Sequence, residues 1–185
     1  GNGASVDGNV NASAVGSVAF LIDPDPPHYP RMCVVFSNGA NDDDLILVQH
    51  RPALAFTQNY TLECWVRPVA GGNTQYQTFI GKGDFNKLNW QFWLGLNKAN
   101  GRVRFVPTGD WAQTLESPGA IALNTWTHVA ARFEQGMTGG RTAVLFLNGL
   151  EVSRRSYSAA GTSTSDPMFF GSANARVGGN AGYGY

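Results

Sequence analysis

Between Asn124 and Ser156 the chain reads NTWTHVAARFEQGMTGGRTAVLFLNGLEVSRRS, three consecutive antiparallel strands with the turns between them. The last two strands flank Asn148-Gly149, and Asn-Gly is the pair best able to hold φ > 0 at both centres of a two-residue type I′ hairpin turn. A β-meander with its tight turn specified this way constrains everything around it. The meander buries only one face, so the rest of the chain has to supply a second layer to cover it.

The composition agrees with that demand. Gly is abundant at 23 residues, aromatics reach 12% and charged residues only 14%, a balance that suits short strands and tight turns rather than helices. A chain of 185 residues can bury roughly 70% of its unfolded surface in one domain, so a core needs no disulfide or metal to hold it. Thirteen basic and thirteen acidic side chains cancel, which removes the electrostatic footprint for nucleic acid or an anionic membrane surface. No apolar run approaches the ~20 residues of a membrane span, so no membrane insertion is expected. Cys33 and Cys64 are equally compatible with one disulfide and with two core thiols.

Along the chain, residues 1 to 30 are expected to form a flexible leader, small and polar at first, with one extra strand over Val15 to Ile22 before the prolines at 24, 26 and 27. Residues 31 to 185 form the main domain. MCVVF and DLILVQH give two strands around a turn at Asn38-Gly39. Tyr60 to Arg67 alternates, with Tyr60, Leu62, Cys64 and Val66 on one face and Thr61, Glu63, Trp65 and Arg67 on the other. In NWQFWLGLN a period of two puts Trp90, Phe92, Leu94 and Leu96 on one side, Gln91, Trp93 and Gly95 opposite. Asn100-Gly101 predicts a second hairpin, and PMFFGSA a last strand. About eleven strands at spacings near ten residues predict an all-β, two-sheet antiparallel sandwich.

Taken in order, FTQNYTLECWVRP, TFIGKGD, WQFWLGLN, GRVRF, LNTWTHVAARFE, AVLFLNGLEV and PMFFGSA resemble the laminin G-like jelly-roll domains of the concanavalin A-like lectin/glucanase superfamily. NTWTHVA followed by a strand and LNG is the most specific block. The resemblance implies a jelly roll of two sheets, of the kind found in secreted or surface-displayed proteins that bind carbohydrate or protein, often without catalysis, and sometimes with calcium at a loop rim. Its usual closing strand has no counterpart before Tyr185. Either the chain is a fragment, or Val15 to Ile22 takes that place.

The candidate ligand-binding residues are Glu63, Trp65, Gln91, Trp93, Arg104 and His128, which alternation puts on non-core faces. Sugars stack their C–H faces on aromatic rings while carboxylates, amides and guanidinia take the hydroxyls. The competing reading covers these tryptophans with the loop that holds Trp111, making a second small core. Asp42, Asp43 and Asp44 cluster hard oxygens in one loop and are the calcium candidates, against a solvated turn. Glycan-cleaving relatives carry alternating carboxylates about 5 Å apart; Glu63, Glu116, Glu134 and Glu151 each stand alone on their segments, and no nucleophile motif is present, so no enzyme activity is expected. Asn11-Ala-Ser13 and Asn59-Tyr-Thr61 match the glycosylation sequon.

These features predict a non-catalytic, lectin-like recognition module, extracellular or surface-exposed, that binds a glycan or an extracellular protein and gains strength by multivalency. The alternative is a structural or protein-interaction component of a surface or virion assembly that binds no sugar. A glycan-cleaving enzyme is third.

Overall fold

In a computed structural model the structure describes residues 3–4, 11–22, 32–36, 44–70, 75–84, 89–158 and 160–171. Fourteen strands are found among them: β1 (Gly3–Ala4), β2 (Asn11–Val15), β3 (Val18–Ile22), β4 (Met32–Phe36), β5 (Leu45–Val48), β6 (Tyr60–Val66), β7 (Tyr76–Asp84), β8 (Asn89–Asn97), β9 (Arg102–Val106), β10 (Leu115–Ala120), β11 (Thr127–Gln135), β12 (Arg141–Leu147), β13 (Leu150–Tyr157) and β14 (Met168–Gly171). They form a large antiparallel sheet ordered β1-β2-β5-β14-β7-β8-β9-β10, a small one ordered β13-β12-β11-β6, and a separate ribbon of β3 and β4. The all-β sandwich is as expected.

The meander is built as its sequence dictates. Asn148 and Gly149 take φ of 50° and 80°, both positive, and Leu147 pairs directly with Leu150 across them. Asn100-Gly101 behaves differently. Only Gly101 turns to positive φ, at 68°, and Asn97 pairs with Arg102, so residues 98 to 101 make a four-residue loop. Asn97 Oδ1 accepts the Ala99 N–H and so supports the first part of that turn from its own side chain.

Between the sheets lies the main core. Tyr60 and Leu62 of β6, Val129, Ala131 and Phe133 of β11, and Ala143 and Leu145 of β12 face Phe92, Leu94 and Leu96 of β8 with Val103 and Phe105 of β9. Tyr60 sits at its aromatic centre, with ring centroids 5.4 Å from Phe92 and 5.6 Å from Phe133, and its hydroxyl donates to the Pro107 carbonyl at 2.6 Å. That one bond lets a tyrosine lie inside an apolar layer without an orphaned hydroxyl.

Trp90 departs from the expected face. The pairing of β7 with β8 shifts between Lys82 and Gly83, where Lys82 opposes Phe92 and Gly83 opposes Trp90. The irregularity turns Trp90 to the far side of the large sheet, where it packs with Trp93 rather than Phe92. Val15 to Ile22 is likewise not one strand. It breaks at Gly16 (φ 75°) and Ser17, so β2 lies beside β5 in the large sheet while β3 leaves it to pair with β4.

Candidate functional site

The expected face divides between two sheets. Gln91, Trp93 and Arg104 belong to the large sheet, Glu63, Trp65 and His128 to the small one, so the six residues do not form one surface. Alternation assigns a residue to a face, and only strand order decides which sheet that face belongs to.

On the large sheet the tryptophans are buried. Trp93 is 0% exposed and its indole N–H donates to Thr78 Oγ1 at 2.8 Å. Trp90, Trp93, Val106, Leu45 and Phe169 make a second core, closed by Tyr76 and by Trp111 from the short 3-10 turn Trp111–Gln113. The Trp111 ring lies 5.1 Å from Trp93, and Asp110 caps its turn by accepting the Ala112 N–H. Gly95 makes room beneath: a Cβ there would meet the Gln77 carbonyl at 2.2 Å and the Trp93 ring at 2.5 Å. The reading with a covering loop therefore holds for Trp93.

Gln91 and Arg104 have structural partners as well. Gln91 is buried and its Nε2 donates to the carbonyls of Leu54 and Phe56, fixing the segment that leads into β6. Arg104 binds Glu116 through Nε at 2.7 Å, donates to the Tyr76 hydroxyl and lies over that ring at 5.1 Å. Neither presents a free polar group to a ligand on the outer surface in the way the sequence suggested.

The small sheet does bring its three candidates together. Trp65 and His128 are directly opposed across β6 and β11, with ring centroids 5.2 Å apart, and Glu63 sits one outward position along β6. Glu63 Oε2 lies 3.8 Å from His128 Nε2. Trp65 is 38% exposed, in contrast to Trp93. The backbone of His128 is held at both ends, its N–H by Asn148 Oδ1 and its carbonyl by the Asn148 N–H, so the same Asn-Gly turn that sets the meander also fixes the edge of this patch.

Two further residues complete it, Ala130 and Phe146, which alternation of THVAARF and TAVLFL could have suggested. Ala130 of β11 pairs with Glu63 on one side and Phe146 of β12 on the other, so small and aromatic side chains continue the surface away from Trp65. The Arg132 guanidinium covers Phe146 at 5.6 Å and pairs with Glu134 at 3.1 Å; Arg154 makes a fork to Glu151 at 2.9 and 2.7 Å. That fork holds the Glu151 carboxyl below its ordinary range, through the hydrogen bond from Arg154.

Asp42 and Asp43 lie outside the described residues. Asp44 is buried, with Oδ1 accepting the Ser17 N–H and Oδ2 without a hydrogen-bond partner. Among the described residues no three His, Cys, Asp or Glu side chains converge as metal ligands. Cys33 and Cys64 are both free thiols, on strands of different sheets, and burial pushes the Cys64 thiol up to about 12. No helix among the described residues is long and apolar enough to cross a membrane.

Comparison with known proteins agrees with this architecture. The laminin G type 3 family model, described as the concanavalin A-like lectin/glucanases superfamily, matches residues 38–183. No curated protein matches the chain. Among solved structures, the botulinum neurotoxin type G receptor binding domain is similar with a TM-score of 0.57 at 13% identity, over 87% of this chain and 38% of that one. The carbohydrate binding module CBM66 from Bacillus subtilis aligns with a TM-score of 0.49 at 15% identity, over 87% of this chain and 91% of that one. With a matching family profile over most of its length and a two-sheet sandwich to carry it, the chain belongs to the laminin G-like domains of the concanavalin A-like lectin/glucanases superfamily.

Proposed function

We propose that this domain is a non-catalytic recognition module that holds a sugar against Trp65. The observation that carries the reading is an indole 38% exposed on the outer face of the small sheet, with the Glu63 carboxylate and the His128 ring beside it. An exposed ring with flanking polar groups offers the combination a sugar needs, apolar contact for its C–H face and oriented acceptors and donors for its hydroxyls. The strand carboxylates support a binding role over a cleaving one. Glu116, Glu134 and Glu151 are each tied to an arginine, and none alternates with another on one strand. Affinity at one such platform is modest, and multivalent display would raise it. Calcium, if used, would be held by the loop of Asp42, Asp43 and Asp44, where the buried Asp44 Oδ2 has no hydrogen-bond donor.

A second reading rests on a different feature. The β3–β4 ribbon stands outside both sheets and exposes Phe20 at 53%, Leu21 at 51% and Ile22 at 75%, which suits a structural or protein-interaction component.

A glycan array run with calcium and with chelator separates the two. The first reading expects hits that quench tryptophan fluorescence and weaken at least ~10-fold in Trp65→Ala, as loss of one stacked ring implies. Hits lost only with chelator place the ligand at the aspartate loop instead. An empty array in both conditions, with a protein whose sedimentation changes in Phe20→Ser, overturns the first reading in favour of the second.

A further inference from the structure

The Trp65 patch carries an uneven charge, and this bears on the class of ligand it admits. Resting on the platform reading above, we infer that Glu63 is the specificity-determining residue that makes the site select neutral or amino sugars and turn away sugars bearing a carboxylate or sulfate. Three observations support this.

The first is that Glu63 is available. Its side chain is 69% exposed, and its ion-pair contact, with His128 Nε2, is 3.8 Å long, beyond hydrogen-bond reach. Both carboxylate oxygens can therefore accept from hydroxyls or an ammonium on a ring seated over the neighbouring indole.

The second is that the cations of the same face are already committed. Arg132 is divided between Glu134 and the face of Phe146, and Arg154 is forked onto Glu151. Arg67, the next outward position after Trp65, has an interaction of its own. An anionic sugar would have to compete with Glu134, Glu151 and the Phe146 face for these guanidinia, whereas a neutral sugar needs no counter-charge.

The third is position. Glu63 lies opposite Ala130, a short side chain set between it and Phe146, so the carboxylate stands on the line a ligand would take in spreading from Trp65 toward Phe146. Two like charges about 5 Å apart at a protein surface repel enough to change affinity by ~10-fold, less at high salt.

The test uses the whole chain and matched probes. Galactose-terminated glycans are compared with their sialic acid-capped forms, and unsulfated with sulfated oligosaccharides, with glucosamine oligomers as the cationic member. Each is titrated by tryptophan fluorescence against the parent chain, Glu63→Gln, Glu63→Lys and Trp65→Ala at two salt concentrations. The exposed position of Glu63 leaves folding intact, which circular dichroism verifies. The expected result is that the parent binds the neutral or amino member of each pair, that Glu63→Lys gains ~10-fold for the anionic member at low salt and less at high salt, and that Trp65→Ala weakens all of them. Trp65-dependent binding of the anionic member by the parent, or a Glu63→Lys chain with an unaltered preference, overturns the inference while the platform stands. Absence of binding to every probe, or binding that Trp65→Ala leaves intact, removes the platform itself and the inference with it.

Discussion

Lys82 is a charged residue with no exposed surface in a sheet otherwise lined with rings. Its Nζ reaches the carbonyls of Thr164 at 2.8 Å and Asp166 at 2.6 Å and lies 3.3 Å from His50 Nδ1. Two carbonyls and a ring nitrogen thus surround the ammonium with its three N–H donors. Burial pulls the lysine amine below its ordinary range, and the Asp166 carboxylate partly offsets that. Its role is to tie the segment before β14 to β7. Replacing it by methionine keeps the volume but strips two buried carbonyls of their donor, which costs about 2 kcal/mol. Guanidinium titration of Lys82→Met should show a lower midpoint with an unchanged slope; an unmoved midpoint would mean that water takes over these bonds at no loss.

At the level of elements, β2 is the piece whose contribution the sequence left most open. It adds four residue pairs to β5, from Ala12 with Val48 to Val15 with Leu45, while Asp44 at the start of β5 accepts the Ser17 N–H just beyond it. Deleting residues 1 to 22 would strip that edge and remove the Ser17 N–H that Asp44 Oδ1 accepts. A loss of at least 1 kcal/mol is expected, and for a domain of this size that is a fall of about 2–4 °C in melting temperature. A melt that superimposes on that of the full chain would show that β2 contributes nothing to the sandwich. The readable elements were those with strict alternation and a named turn. Tyr60 to Val66 shows the inward and outward positions its pattern predicts, and Asn148-Gly149 makes its type I′ turn. Trp90 was misplaced because one irregular pair reverses every face beyond it, and no residue type in NWQFWLGLN announces that shift. Half of the candidate residues lie away from the Trp65 face for a related reason. Whether an outward tryptophan meets solvent or a loop depends on a segment elsewhere, here Trp111, and its approach is a tertiary event that periodicity does not encode.

For the molecule as a whole, three protonated groups sit against one core and set an alkaline limit. Burial, aided slightly by Glu63, pushes the Cys64 thiol from 9.0 up to about 12. Burial likewise pushes Tyr157 from 10.0 to about 12, with Arg155 opposing and Asp110 assisting, and raises Tyr60 well above its ordinary range. Each group keeps its proton in the folded chain at a pH where the unfolded chain has lost it. A raised folded pKa contributes stability that is complete below the unfolded value and drains away as pH climbs through the folded one. The window therefore opens near 9 for the thiol and 10 for the phenols and closes near 12. Lys82 acts with the opposite sign: its lowered pKa means the unfolded chain binds the extra proton, so stability rises with pH between its lowered value and 10.5. One group against three does not reverse the trend, and the growing net negative charge of a chain balanced at thirteen and thirteen adds self-repulsion in the same direction. The melting temperature should thus hold level from pH 7 to about 9 and fall steadily toward 12, with the Cys64 thiol unreactive to a thiol reagent until the chain unfolds. A melting temperature that stays level through pH 11, or a Cys64 that labels rapidly in the native protein, would show that the face of β6 beneath the Trp65 patch opens to water, and the rigid sheet on which that patch depends would have to be reconsidered.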